Sequence, residues 1–167
     1  MRTVIITALV VGLLTCGTCA GGAYWGLHRV GEELTGSNEW SEDAVGRAQV
    51  APLFGVTLPP AVVTYRSRAI GFQDWSYEVL AQLRPGDKEA WLAANHLTPA
   101  AEPGTADLEA LETEIRRAGT PKGAARVTTL EGLPRETDDA GVPTVSRNAT
   151  LIEYDDQCWV YLETFDT

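Results

Sequence analysis

The sequence predicts an α+β fold: an N-terminal transmembrane helix, then a two-layer domain with an antiparallel sheet and two to three helices. Three observations lead there. Val4 to Leu27 contains no charged side chain. Val62–Arg68 and Trp75–Leu83 alternate apolar and polar residues with the period of two that a half-buried strand requires. Helically spaced segments opening at Asp87 and Asp107 lie between those strands and a β-rich C-terminus. The one-sided alternation places both of those helices on one face of the sheet.

A helix that crosses a bilayer needs about 20 mostly apolar residues, and the uncharged segment reaches that length. Val4–Leu14 is strongly apolar, Thr15–Ala23 is made of small residues, and Tyr24 and Trp25 stand where an interfacial aromatic belt would lie. Arg2 and the amino terminus favour a cytoplasmic start, which puts the C-terminal domain outside the cytoplasm on a single-pass anchor. Two alternatives share the pattern. A signal peptide cleaved after Ala20 or Ala23 would leave the domain secreted. Lipidation at Cys16 or Cys19 is the other, although bacterial lipoprotein signals place Gly, Ala or Ser where Thr15 and Thr18 stand here. The organisation is therefore 1–27 anchor or signal, 28–40 polar tether, and 41–167 extracytoplasmic domain. Cys16-Gly17-Thr18-Cys19 has the spacing of a redox pair but no βαβ pattern behind it, so it reads as small residues in a packing or cleavage region. Only Cys158 remains, so the domain has no internal disulfide and relies on its apolar core.

The chain carries 23 acidic and 13 basic residues, a net charge of −10, and every charged residue except Arg2 lies beyond Leu27. An acidic surface repels phosphate backbones, which excludes nucleic-acid partners. The implied partners are the membrane, through the N-terminal helix, and another envelope protein.

Along the domain, Ser41 is expected to cap a short helix that Pro52 ends. Leu58-Pro59-Pro60 forms a stiff extended connection. In the first hairpin Val63 and Tyr65 face one way and Thr64, Arg66 and Arg68 the other, with Gly71-Phe72-Gln73-Asp74 as the turn. Asp87 caps the next helix, on which Trp91, Leu92 and Asn95 share a face. Thr98–Gly104, with two prolines, reads as a loop. Leu108, Leu111 and Ile115 mark an amphipathic helix that Gly119 and Pro121 stop. Arg126–Leu130 reads as a strand and Arg135–Gly141 as an exposed acidic loop. Ala149–Tyr154 and Cys158–Phe165 form a hairpin around Asp155-Asp156-Gln157. Its last strand is apolar on both sides, Trp159, Tyr161 and Phe165 against Cys158, Val160 and Leu162. That is the mark of a covered central strand, the sharper alternative being an aromatic binding face.

Catalytic signatures are missing from the sequence: no Gly-x-Ser-x-Gly, His-Glu-x-x-His or Walker loop occurs. His28 and His96, the two histidines, border an apolar segment and end a helix, which are structural places. Asp138-Asp139 and Asp155-Asp156 lie in turns that favour Asp for backbone reasons. Asn148-Ala149-Thr150 is a strand start unless the source glycosylates. No catalytic residue, metal ligand or cofactor is assigned. The expected function is non-enzymatic binding of a protein or small ligand. The alternative is a carboxylate-dependent envelope hydrolase, which requires Glu78, Glu153 and Asp155 to converge, and a third class is a structural or inhibitory partner. The binding patch is placed at Arg66, Arg68, Phe72, Gln73 and Asp74, because a turn needs Gly and Asp but not Phe72 and because two outward arginines stand out on an acidic surface; the alternative is Phe72 folded back as a plug over the sheet edge, with the arginines paired to local acids.

Phe54-Gly55-Val56-Thr57-Leu58-Pro59, Gly71-Phe72-Gln73-Asp74, and Trp91-Leu92 on a helix opened by Pro85-Gly86-Asp87 resemble a group of uncharacterised exported or membrane-anchored actinobacterial proteins. The resemblance covers about Phe54 to Leu97. It implies an envelope location and supplies no catalytic residues.

Overall fold

The computed structural model describes residues 39–71, 75–103, 108–137 and 143–166. All of them belong to a compact unit that begins at Ser37. The expected anchor, Val4–Leu27, lies outside the described residues; among these, no helix is long and apolar enough to cross a membrane.

Among the described residues the fold is α+β, with one antiparallel seven-stranded sheet and three helices. In chain order the elements are α1 (Arg47–Phe54), β1 (Thr64–Ile70), β2 (Ser76–Leu83), α2 (Asp87–Ala94), β3 (Thr98–Pro103), α3 (Leu108–Ala118), β4 (Arg126–Glu131), β5 (Glu136–Thr137), β6 (Pro143–Glu153) and β7 (Cys158–Asp166). The strands lie in the order β1-β2-β7-β6-β4-β3, and β5 pairs with β6 beyond β4. The two hairpins join directly: Val79 faces Leu162 and Leu80 faces Tyr161 across the β2–β7 ladder.

Both sheet faces are buried, which corrects the two-layer expectation. Val79, Ala81, Leu151, Val160 and Leu162 pack with Val50 and Phe54 of α1 and Trp91 and Leu92 of α2. Leu80, Ile152, Trp159 and Tyr161 point the opposite way and pack with Leu111 and Ile115 of α3. The helices opened near Asp87 and Leu108 thus cover opposite faces, making three layers. The reason is side-chain parity: strand residues of both parities are apolar in β2, β6 and β7, so neither face can stay wet.

Local chemistry explains the other departures. Ser41 does accept the Ala44 N–H on its hydroxyl at 2.9 Å, but what it caps is a turn and not α1, and its backbone bridges Ser67 of β1 through hydrogen bonds of 2.8 and 2.7 Å. The helix starts at Arg47, after Gly46 donates its N–H to Gln49 Oε1 at 2.9 Å. Pro52 lies inside the helix, which runs on to Phe54 and ends where Gly55 turns left-handed, at φ 72°. Gly86, at φ 90°, precedes α2, so Asp87 is its first helical residue rather than its cap. Thr98–Pro103, expected to be a loop, is an edge strand on β4 with a register shift between Pro99 and Pro103. An edge strand tolerates prolines because one side of its backbone needs no donors. Glu136–Thr137 adds a two-residue strand inside the expected acidic loop.

His96 ends α2 structurally. It adopts φ 55°, its N–H bonds Ala93 O at 3.2 Å, and Leu97 N–H bonds Leu92 O at 2.9 Å. This is the paired-bond helix stop in which the left-handed residue is ordinarily Gly. A left-handed L-residue costs about 1–2 kcal/mol, partly offset in the Gly variant by its looser unfolded chain. His96→Gly is therefore expected to raise stability by up to about 1 kcal/mol. Urea unfolding checks this; a destabilised variant would show that the imidazole itself contributes.

Candidate functional site

Two places on the domain combine structure with chemistry: a polar cluster on the α3 side of β1, β2 and β7, and a hollow beside α2.

Arg66 and Arg68 of the expected patch project from β1 on the same side as Glu78, its cross-strand neighbour in β2. Phe72, Gln73 and Asp74 lie outside the described residues. Arg68 forks onto Glu78, Nε donating to Oε2 at 2.8 Å and Nη2 to Oε1 at 3.0 Å. The Trp40 ring lies over the guanidinium, 4.8 Å from it. Arg66 is only loosely held, 3.9 Å from Glu42. The Glu78 side chain is 5% exposed, so burial pushes its carboxyl above the usual range against the pull of Arg68. Tyr161 donates its hydroxyl to the same carboxyl. Burial first, then the charges of Glu78 and Glu163, drive the Tyr161 hydroxyl far above the ordinary tyrosine range. Glu163 faces Glu78 across the ladder and accepts from Asn148 Nδ2 at 3.1 Å.

This cluster holds two neighbouring carboxylates, yet both Glu78 oxygens are engaged by one guanidinium under an aromatic ring. The carboxylates that a hydrolase would need are dispersed. Glu153 projects from the opposite face and accepts from Lys88 Nζ at 2.9 Å. Asp155 sits in the β6–β7 turn, its N–H on Lys122 O at 3.0 Å. Among the described residues no His, Cys, Asp and Glu group could hold a metal ion. Burial and then the Glu153 charge push the Cys158 thiol up to about 11, so it is no nucleophile near neutral pH.

The hollow, about 460 Å³, lies between Leu58-Pro59-Pro60-Ala61 and one face of α2 formed by Asp87, Ala90, Trp91, Ala94 and Asn95. A polar lock fixes its base. Trp91 Nε1 donates to Thr57 O at 2.7 Å. Asn95 Oδ1 accepts from Thr57 N–H at 2.7 Å, and Asn95 Nδ2 donates to Thr57 O at 3.1 Å and to Trp91 O at 2.9 Å. The polar side chains of the floor are therefore engaged, and the accessible lining is mostly apolar. Arg84 stands at the rim.

A wider hollow, about 740 Å³, borders Leu130–Arg135 and Val145–Asn148. Its Arg147 side chain is only 6% exposed and already bound. Nε donates to Leu53 O at 2.7 Å, Nη1 to Pro134 O at 3.1 Å, and Nη2 to Glu136. That arginine is a tie between α1, the 132–135 loop and β6, so the cation this hollow presents is the exposed Arg135.

No protein-family model matches the chain, and no curated protein or solved structure is significantly similar to it. The site is therefore argued from its own geometry. Sequence reasoning named Arg66 and Arg68 without naming Glu78 as the partner of Arg68, and it placed Asn95 beside Trp91 without its lock on Thr57. The signal for the lock was the i, i+4 spacing of Trp91 and Asn95 on a helix that follows a proline-stiffened segment.

Breaking a buried ion pair by removing one partner costs about 3–5 kcal/mol, and Arg68, 23% exposed, belongs at the lower end. Arg68→Met is thus expected to cost about 3 kcal/mol at neutral pH. The sign with pH follows from the raised carboxyl: the folded state then binds more protons than the unfolded one, so stability falls as pH rises through the folded value. The loss should shrink from neutral to acidic pH, as Glu78 takes a proton. Urea unfolding of both forms at the two pH values checks this; a loss independent of pH would contradict it.

Proposed function

We propose that the protein is a membrane-anchored extracytoplasmic domain that acts by binding rather than by catalysis, and that its ligand or partner segment enters the hollow between Pro59-Pro60 and Trp91. The observation that carries this reading is the pre-formed, mostly apolar well with no unmet polar side chain in its floor. Such a well needs no rearrangement to accept an apolar group, and its size falls within the about 300–1,000 Å³ typical of ligand sites. Thr57, Leu58 and Pro59 from one of the motifs behind the resemblance to exported actinobacterial proteins, and Asp87 and Trp91 from another, contribute to its walls. The location rests on the uncharged run Val4–Leu27 with Tyr24 and Trp25 at its outer end.

Two measurements test this. In a thermal-shift panel of short apolar peptides and aromatic acids, a member present at about 100 times its Kd should stabilise the domain by about 2.7 kcal/mol, or roughly 10 °C in midpoint. The response should vanish in Ala94→Trp, which fills the hollow from an exposed position. A panel that shifts both forms equally, or neither, ends the reading. For topology, a reporter enzyme active only in the cytoplasm and fused after Thr167 is expected to be silent; activity would reverse the orientation.

A further inference from the structure

The rim of the hollow carries one cation and one anion. Arg84 is exposed at the end of β2, and Asp87 is half-buried in the first turn of α2. Neither side chain has a hydrogen-bonding or ion-pair partner among the described residues, and the two do not pair with each other. Among the described basic residues, Arg66, Arg68, Lys88, Arg116, Arg117, Lys122 and Arg147 lie against carboxylates and Arg47 lies over the Tyr65 ring, whereas Arg84 shares with Arg126 and Arg135 the lack of such a partner. Of these three, Arg84 is the one that stands at the hollow beside α2.

Charge logic then narrows the ligand. An apolar anion would gain at Arg84 and lose at Asp87, and an apolar cation would do the reverse. A molecule carrying both charges beside an apolar body satisfies both rim groups at once. We propose that the hollow binds a short apolar peptide with free termini, its carboxylate at Arg84 and its ammonium at Asp87, with apolar side chains between Pro59, Pro60, Ala90, Ala94 and the Trp91 ring. This rests on the hollow being the binding site. The floor explains why the side chains must be apolar: Trp91 Nε1 and both ends of the Asn95 amide already bond within the protein. A polar side chain would lose its water there and find no partner.

The test is calorimetric titration of the full chain in lipid nanodiscs with leucyl-leucine, its N-acetyl form and its C-terminal amide, empty discs serving as blank. Both rim groups face water, so each blocked terminus is expected to weaken binding by about three- to tenfold. Arg84→Gln should abolish discrimination against the amide while keeping discrimination against the acetylated form. Asp87→Asn should do the opposite, and that double dissociation is something a general loss of fold cannot produce. If blocked and free dipeptides bind equally and Ala94→Trp still abolishes binding, the charge assignment is overturned and the hollow stands. If no form binds while another panel member stabilises the wild type alone, the peptide assignment is overturned. If nothing binds by either method, both fall together.

Discussion

The structure depends on β7 being apolar on both sides. It lies between β2 and β6, with Val160 and Leu162 facing α1 and α2 while Trp159 and Tyr161 face α3. A strand of this kind cannot sit at the surface of a two-layer fold, since one of its faces would leave large apolar groups in water. Each cover in turn fixes the connections. The chain must leave β2, lay α2 over one face, cross the edge through β3, and lay α3 over the other face before β4 begins. The hollow beside α2 is a consequence of that route, because Leu58–Ala61 must run along the same helix to reach β1.

The polar bonds that matter join parts of the chain far apart in sequence. Thr57 is locked to Trp91 and Asn95, Leu53 to Arg147, and Lys88 to Glu153. Apolar packing alone tolerates sliding, whereas a directional bond in a low-dielectric setting does not, so these ties select one arrangement of helices over the sheet. Arg68 and Glu78 serve the β1–β2 pairing in the same way. Their net stabilisation is small, since burial of the carboxylate offsets much of the attraction, and breaking the pair is far more costly than having it. The Tyr154 hydroxyl is an exception: it is buried without a hydrogen-bond partner, among Leu111, Ile115 and Trp159.

Much of this was legible in the sequence. Period-two alternation located β1 and β2 with the right residues on each side, and the C-terminal hairpin around Asp155-Asp156 followed from turn chemistry. The number of layers did not, because Leu80, alone in an otherwise polar row of β2, marks a second buried face that one-sided alternation passes over. Proline misled twice, at Pro52 and at Pro99–Pro103. A missing N–H matters only where a partner would have received it, and partners are tertiary information. The site was the least legible part. Arg66 and Arg68 stood out by composition, but whether an arginine is available depends on which acid lies across the sheet, and register settles that.

The hollow exists because its two walls cannot close on each other. Pro59 and Pro60 have φ fixed by their rings, and a residue before proline is itself held extended, so Leu58–Pro60 cannot sag toward the helix. On the other side, α2 presents Ala90 and Ala94 next to Asp87, Trp91 and Asn95, at the i, i+3, i+4, i+7 and i+8 spacing of one helical face. Leucine at either alanine would fill the gap, and a flexible connection would collapse into it. The Thr57 lock then holds wall and helix at a set separation, since Trp91 Nε1 and Asn95 Nδ2 both donate to the Thr57 carbonyl while Asn95 Oδ1 accepts the Thr57 N–H. Small residues opposite a rigid wall, pinned at the base, leave an apolar space that the fold itself gains nothing from keeping open. A domain that only had to be stable would be better off with that space filled. That its rim also leaves Arg84 and Asp87 unpaired, in a domain that pairs most of its other basic groups, places the same surplus of unmet interaction at the same spot.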